Sequence, residues 1–157
     1  MSSGTELMSG TELIMATVYL ALGSNLGDRL RYIKKAIEEL ENSGVKVLKL
    51  SAVIETDPVG GVVQGKYLNA VLKASTDHSP EELHVITQSI ERKLGRVRKM
   101  INGPRVIDID ILLHDDIKLV TPHLLIPHPR MLDRSFVMQP LEEIEPALCA
   151  LLKISRA

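Results

Sequence analysis

The sequence of 157 residues has no tryptophan, one phenylalanine, three tyrosines and a single cysteine, Cys149. One thiol cannot close an internal disulfide, so nothing asks for an oxidising compartment and cytoplasm is the expected location. With only Tyr19, Tyr32, Tyr67 and Phe136 as aromatic rings, the chain lacks the stacking platforms that single-stranded nucleic acid requires. An excess of one charge is missing too. Nineteen basic and twenty acidic side chains leave a formal charge of −1, which argues against coating nucleic acid or anionic membrane through a global field. No apolar run approaches the roughly 20 residues of a membrane span. The first fourteen residues hold no Lys or Arg and no apolar core of a secretory signal.

What is present is a globular composition, 45% apolar and 25% charged, in a length that suits one domain with its own core. Ser-Gly-Thr-Glu-Leu at Ser3–Leu7 recurs at Ser9–Leu13. The repeat is too short for a solenoid unit, so residues 1–14 read as a polar, poorly ordered extension and 15–157 as the domain.

Patterning predicts the order of elements. Thr17–Leu22 reads as a buried strand and Asp28 as the cap of a helix that Gly44 stops. Val45–Glu55 reads as one long strand and Tyr67–Ser75 as a second, joined by the glycine-rich loop Thr56–Lys66. Ser79-Pro-Glu-Glu82 opens another helix with a capping box. Gly95–Pro104 should be a mobile loop, Val106–Leu113 a strand, and Met131–Glu145 a final helix interrupted near Pro140. The resulting β-α-β-β-α-β order is the α+β, ferredoxin-like arrangement, an antiparallel sheet backed by helices on one face.

Two opposite charge runs stand next to one another. Arg92, Lys93, Arg96, Arg98, Lys99 and Arg105 fall in a stretch with no acidic residue; Asp108, Asp110, Asp115 and Asp116 follow with no Lys or Arg between them. A cationic clamp beside an anionic cup suits a polyphosphate carrying Mg²⁺. Asp108 and Asp110 lie within a strand, so they share one face about 7 Å apart while Ile107, Ile109 and Ile111 take the other. Aspartate is disfavoured in strands and like charges on one face repel; a divalent cation removes both objections. The alternative is a wet acidic edge strand. Gly60–Lys66 fits the start of a P-loop, but Tyr67 stands where the metal-binding hydroxyl is needed and the flanking elements are both strands, so that motif is rejected. Tyr67 and Asn69 share a strand face and could hold a flat heterocycle by stacking and amide pairing. His78, His84, His114 and His123 read as surface residues, and His128, in Pro-His-Pro-Arg, as a phosphate donor.

Seven segments, Gly23-Ser-Asn-Leu26, Tyr67-Leu-Asn69, Gly95-Arg-Val-Arg98, Gly103-Pro-Arg105, Asp108-Ile-Asp-Ile-Leu112, Pro127-His-Pro-Arg-Met131 and Arg134-Ser-Phe136, resemble the motifs of the 6-hydroxymethyl-7,8-dihydropterin pyrophosphokinase family. The likeness runs from about Thr17 to Pro146. It implies transfer of pyrophosphate from ATP to the pterin hydroxymethyl group with release of AMP, in folate synthesis, with two Mg²⁺ held by Asp108 and Asp110. By the same resemblance Arg96 belongs to a closing loop, and Arg98, Lys99, Arg105, His128 and Arg134 touch phosphates or nucleotide. Gln88 and Glu91 shape the nucleotide pocket, and Ile111 and Leu124 pack the adenine region. Tyr67 and Phe136 sandwich the pterin, while Asn69 and the backbone of Thr56, Pro58 and Val59 match its polar edge. Asn102 stands where many members carry a tryptophan, and His123, Leu125 and Pro129 replace polar or aromatic nucleotide-side residues. The expected partners are small molecules only, with a monomeric chain. A ferredoxin-like ligand-binding module without catalysis is the other reading; paired carboxylates on one strand speak for the enzyme.

Overall fold

The computed structural model describes residues 14–58, 64–95 and 106–156. Strand β1 (Ala16–Ser24) lies at the centre, hydrogen-bonded antiparallel to β4 (Tyr67–Thr76) on one side and to β5 (Asp108–His114) on the other. Outside β4 run β2 (Val45–Leu50) and the short β3 (Ile54–Thr56), so the sheet order is β2-β4-β1-β5 with β3 also on β4. Helix α1 (Arg29–Asn42) follows β1 and α2 (Pro80–Lys93) follows β4, which is the predicted ferredoxin-like α+β connectivity. A small ribbon of β6 (Leu119–Val120) and β7 (Leu125–Ile126), a 3-10 turn at Met131–Asp133, α3 (Ser135–Ile144) and α4 (Pro146–Arg156) complete the chain.

The helices start where sequence chemistry requires. Asp28 accepts from the Arg31 backbone N–H, and Ser79 and Glu82 exchange the reciprocal bonds of a capping box, worth about 1 kcal/mol. Both helices lie on one face, over Val18, Leu20, Leu22, Leu72 and Ala74, with Ile33, Ala36, Leu40, Leu83 and Ile90 supplying the apolar side.

Three expectations need correction. The second sheet face is covered as well: Tyr19, Val71, Leu112 and Leu113 pack against Val137, Leu141 and Ile144 of α3 and Cys149 of α4. Strands buried on both faces read as nearly continuous apolar runs, and β1 and β4 do. Val45–Glu55 is two strands rather than one. Between Leu50, opposite Leu72, and Ile54, opposite Asn69, the chain carries an extra residue. The backbone N–H and hydroxyl of Ser51 are drawn to Val71, and the Ala52 N–H is taken by the Glu143 carboxylate. Finally, the segment from Met131 breaks at Arg134, whose backbone is extended, and α3 then runs through Pro140 without interruption. Pro140 is buried, so packing offsets its missing hydrogen bond.

Lysines of two strands hold α3 to the sheet. Lys49 and Lys73 both donate to Glu145 Oε1, at 2.9 and 3.0 Å, and Lys49 also reaches the Ile144 carbonyl at the helix end. Those hydrogen bonds, from Lys49 first and then Lys73, hold the Glu145 carboxyl below its ordinary range.

Candidate active site

Register sets the floor of a cleft at one end of the second sheet face. Asn69 lies opposite Gly23, which lies opposite Asp108; in the next row Val71 faces Ala21, which faces Asp110. The central strand thus contributes a hydrogen and a methyl between two polar walls about 10 Å apart, two strand spacings. A Cβ at Gly23 would come within 3.1 Å of Asn69 Oδ1 and 3.4 Å of Tyr67 Cδ1. Only glycine leaves both side chains where they are. Asn69 is 7% exposed and its amide N–H donates to the Thr56 hydroxyl, which fixes the direction in which its carbonyl points.

From the opposite side, Phe136 in the first turn of α3 closes the slot, with the Arg134 guanidinium 5.5 Å from its ring centroid. Tyr67, Asn69, Thr56 and Phe136 line the same cleft of about 410 Å³ as Asp108 and Asp110. The loop end beneath Tyr67 is held by the Gly23-Ser-Asn25 segment: Asn25 Nδ2 donates to Gln64 Oε1 at 2.7 Å and to the Gly65 carbonyl at 3.1 Å. Arg29 adds a bond to the Lys66 carbonyl at 2.8 Å.

Strand parity places the aspartates as expected. Ile107, Ile109 and Ile111 are in the core, at most 5% exposed, while Asp108 and Asp110 open to the cleft. The strand is pinned from outside the sheet, because buried Glu91 of α2 accepts the Ile109 N–H at 2.7 Å and the His128 N–H reaches the Leu112 carbonyl at 2.9 Å. Among the described residues no group of three or more His, Cys, Asp or Glu gathers into a cage. Two carboxylates on a cleft wall would suit a magnesium ion that keeps phosphates and waters as its other ligands.

A second lobe of about 290 Å³ joins the first at His84, Ile109 and Asp110. Its walls are Ile111, Pro122, Leu124, Leu125 and Pro129, with His123 and His128. Burial pushes the His128 imidazole below the ordinary histidine range; Asp110 opposes this, and Arg134 and Arg130 reinforce it. The neutral ring accepts the Arg130 N–H at Nδ1, 3.2 Å away, so its proton sits on Nε2, ready to donate.

Most of the anticipated residues converge. Thr56, Tyr67, Asn69, Gln88, Glu91, Asp108, Asp110, Arg134 and Phe136 line the larger lobe, and Ile111, Leu124 and His128 the smaller. Pro58 lines neither. Val59, Arg96, Arg98, Lys99, Asn102 and Arg105, and the expected loop Gly95–Pro104 beyond Gly95, lie outside the described residues. His84, Thr87 and Arg130 line the cleft without having been assigned a role. The signal for the first two was readable: His84, Thr87, Gln88 and Glu91 are spaced i, i+3, i+4, i+7, a polar stripe on α2. The histidine expectation is corrected further, since His114 is 4% exposed and bonds the His78 carbonyl through Nε2 at 2.8 Å, while His78 in turn reaches the Ser43 carbonyl at 2.7 Å.

The family profile described as 7,8-dihydro-6-hydroxymethylpterin-pyrophosphokinase (HPPK) matches residues 19–146. The 2-amino-4-hydroxy-6-hydroxymethyldihydropteridine pyrophosphokinase of Aquifex aeolicus is 49% identical over 132 residues, 84% of this chain and 82% of that protein. Its counterpart in Bacillus subtilis is 46% identical over 127 residues, covering 80% and 76%. Among solved structures, wild-type Plasmodium falciparum HPPK-DHPS superposes with a TM-score of 0.62 at 16% identity, over 88% of this chain and 42% of that one. That likeness concerns the fold, and this chain spans about two fifths of the longer protein.

Proposed function

The chain belongs to the 7,8-dihydro-6-hydroxymethylpterin-pyrophosphokinase family, and from that premise we propose which of its residues do the work. The reaction transfers pyrophosphate from ATP to 6-hydroxymethyl-7,8-dihydropterin, releasing AMP, in folate biosynthesis. The hydroxymethyl oxygen forms a bond to the β-phosphorus, the bond from that phosphorus to the bridging oxygen of the α-phosphate breaks, and the alcohol proton passes to solvent.

The observation that carries the assignment is the row Asn69–Gly23–Asp108. A flat bicyclic ring laid on the Gly23 floor, between Tyr67 and Phe136, puts its amide edge on Asn69 and Thr56 and its other end toward Asp108. Backbone groups at Pro58 and Val59 are assigned to the same polar edge on the family resemblance. The triphosphate then crosses the seam between the lobes, with Asp108 and Asp110 as ligands for the two Mg²⁺ ions that accompany it. Bound there, the ions would neutralise the phosphate oxygens. The chain's own part is positioning: Glu91 holds the aspartate strand, Gln88 and His128 Nε2 face the nucleotide, and Arg134 and Arg130 present positive charge across the cleft. Arg96, Arg98, Lys99 and Arg105 are assigned to the phosphates on sequence grounds, Arg96 and Arg105 as the catalytic cations. The apolar walls of Ile111 and Leu124 receive the adenine. We also assign the chain a monomeric, cytoplasmic existence. No helix among the described residues is long and apolar enough to cross a membrane.

Positioning and charge neutralisation supply most of the acceleration in phosphoryl transfer, so a dedicated base is unnecessary for a primary alcohol held in line. The test is magnesium-dependent formation of AMP from ATP, seen only when hydroxymethyldihydropterin is present. Appearance of ADP in place of AMP would sink the assignment.

A further inference from the structure

Of the stripe His84, Thr87, Gln88 and Glu91 on α2, two members already have protein partners: the Thr87 hydroxyl donates to the His84 carbonyl at 2.9 Å and the Glu91 carboxylate accepts the Ile109 N–H. Gln88 lines the larger lobe alone. His84 is the member that lines both, at the seam with Ile109 and Asp110. Its side chain is partly exposed, and no hydrogen bond to its ring nitrogens is formed among the described residues. The helix beneath is firmly set, with the capping box at Ser79 one turn before it and Leu83 beside it fully buried. A donor-acceptor ring on a rigid helix, at the edge of a lobe walled mainly by aliphatic and proline side chains, with His123, His128 and Asp110 as its other polar groups, is placed to read a polar edge of whatever fills that lobe.

We propose that His84 is a nucleotide-contacting residue of this chain, hydrogen-bonded to the nucleoside half of the triphosphate. The inference rests on the pyrophosphokinase reading above, which puts base and ribose in the smaller lobe. The nucleoside is favoured over the phosphates because the cationic groups Arg130 and Arg134 line only the larger lobe, and the one carboxylate the smaller lobe shares is Asp110 at the seam. Replacing the imidazole removes one hydrogen bond and leaves the partner atom on the ligand unpaired, which corresponds to about a fivefold to tenfold loss of affinity.

Calorimetric titration of the full chain with adenosine and, separately, with a non-hydrolysable ATP analogue and Mg²⁺ tests this. His84→Ala is expected to weaken both ligands by the same factor, since the contact is to the part they share. His84→Leu should show the same loss, and His84→Gln should recover part of it. Thermal melts of each variant confirm that it folds. Native affinity in His84→Leu would show that the ring only packs, and a loss confined to the ATP analogue would show a phosphate contact; either overturns the proposal. If the native chain binds neither ligand, the pyrophosphokinase reading falls with it, whereas native binding matched by all three variants removes the role of His84 alone.

Discussion

Gly23→Ala is the smallest change that interrogates the floor of the cleft. The new methyl would sit 3.1 Å from Asn69 Oδ1 and 3.4 Å from Tyr67 Cδ1, so Asn69 must give way by a few tenths of an ångström. It cannot do so freely, because its amide is tied to Thr56 and the residue is buried. On the proposed assignment, the displaced amide would then meet the pterin edge out of line. One misplaced hydrogen bond is worth about 0.5–1.5 kcal/mol, so KM for the pterin should rise by between about twofold and about tenfold while KM for ATP stays nearly unchanged. The strain falls at the open end of the sheet, and a cost of about 1 kcal/mol would lower Tm by about 2–4 °C in a chain of this size. Steady-state kinetics with each substrate varied in turn measures the first effect and thermal melting the second. The decisive comparison is a double-mutant cycle with Asn69→Ala. Once the amide is gone the methyl has little to displace, so Gly23→Ala should be nearly silent in that background. Additive effects in the cycle would refute the argument, because they would mean that the glycine is required for something other than the position of Asn69.

Three further outcomes follow from the geometry. Asp110→Ala should abolish nearly all turnover in a folded chain, since it removes one of two carboxylates proposed for Mg²⁺ and relieves like-charge repulsion with Asp108; normal turnover at saturating Mg²⁺ would contradict that role. Glu91→Ala leaves the Ile109 N–H without its acceptor inside the protein, so a stability loss of about 1–3 kcal/mol should appear in urea titration alongside a fall in kcat; an unchanged unfolding midpoint would show that the strand does not depend on that carboxylate. Glu145 titrates below its ordinary value in the folded chain, so its contribution to stability is present above the ordinary glutamate range, near pH 4.3, and is lost as pH falls through the depressed folded value. Glu145→Gln should flatten that part of the Tm-against-pH curve, and identical slopes for both chains would rule the clasp out as a source of acid sensitivity.

The aspartate pair and the isoleucines behind it were legible because strand parity is strict: a face is fixed by counting in twos, and three buried isoleucines leave Asp108 and Asp110 one place to go. Helix starts were legible for a similar local reason, the capping chemistry of Asp28 and Ser79 being complete within four residues. The break between β2 and β3 was not. No glycine or proline marks it; its causes, Val71 on the neighbouring strand and Glu143 on α3, lie 20 and 91 residues away in the chain. The same holds for the second covered face. Apolar residues at nearly every position of β1 and β4 do announce two buried sides, but the ferredoxin-like order of elements fills only one of them. Tyr67 and Asn69 as a bare pair said little, and gained meaning through register, which set Gly23 between them and Asp108. His84 went unread because a single histidine on a helix usually faces water; the four-residue stripe it belongs to is visible only when polar positions are given the same periodic scrutiny as apolar ones.

The floor of the cleft belongs to β1, the strand paired along both of its edges and buried on both of its faces. Opening those amides requires parting the sheet itself, so exchange with deuterated solvent at Ala21 and Leu22 should proceed only through global unfolding, whereas amides of α3 and the β6–β7 ribbon can exchange through smaller excursions. The floor proposed for the substrate therefore lies on the slowest-opening element, and the groups that cover the cleft, Phe136 and the smaller lobe, lie on quicker ones. Partial loosening of Phe136 or the smaller lobe, as admission and release of ligands demand, can occur many times while the spacing between Asn69 and Asp108 stays unchanged.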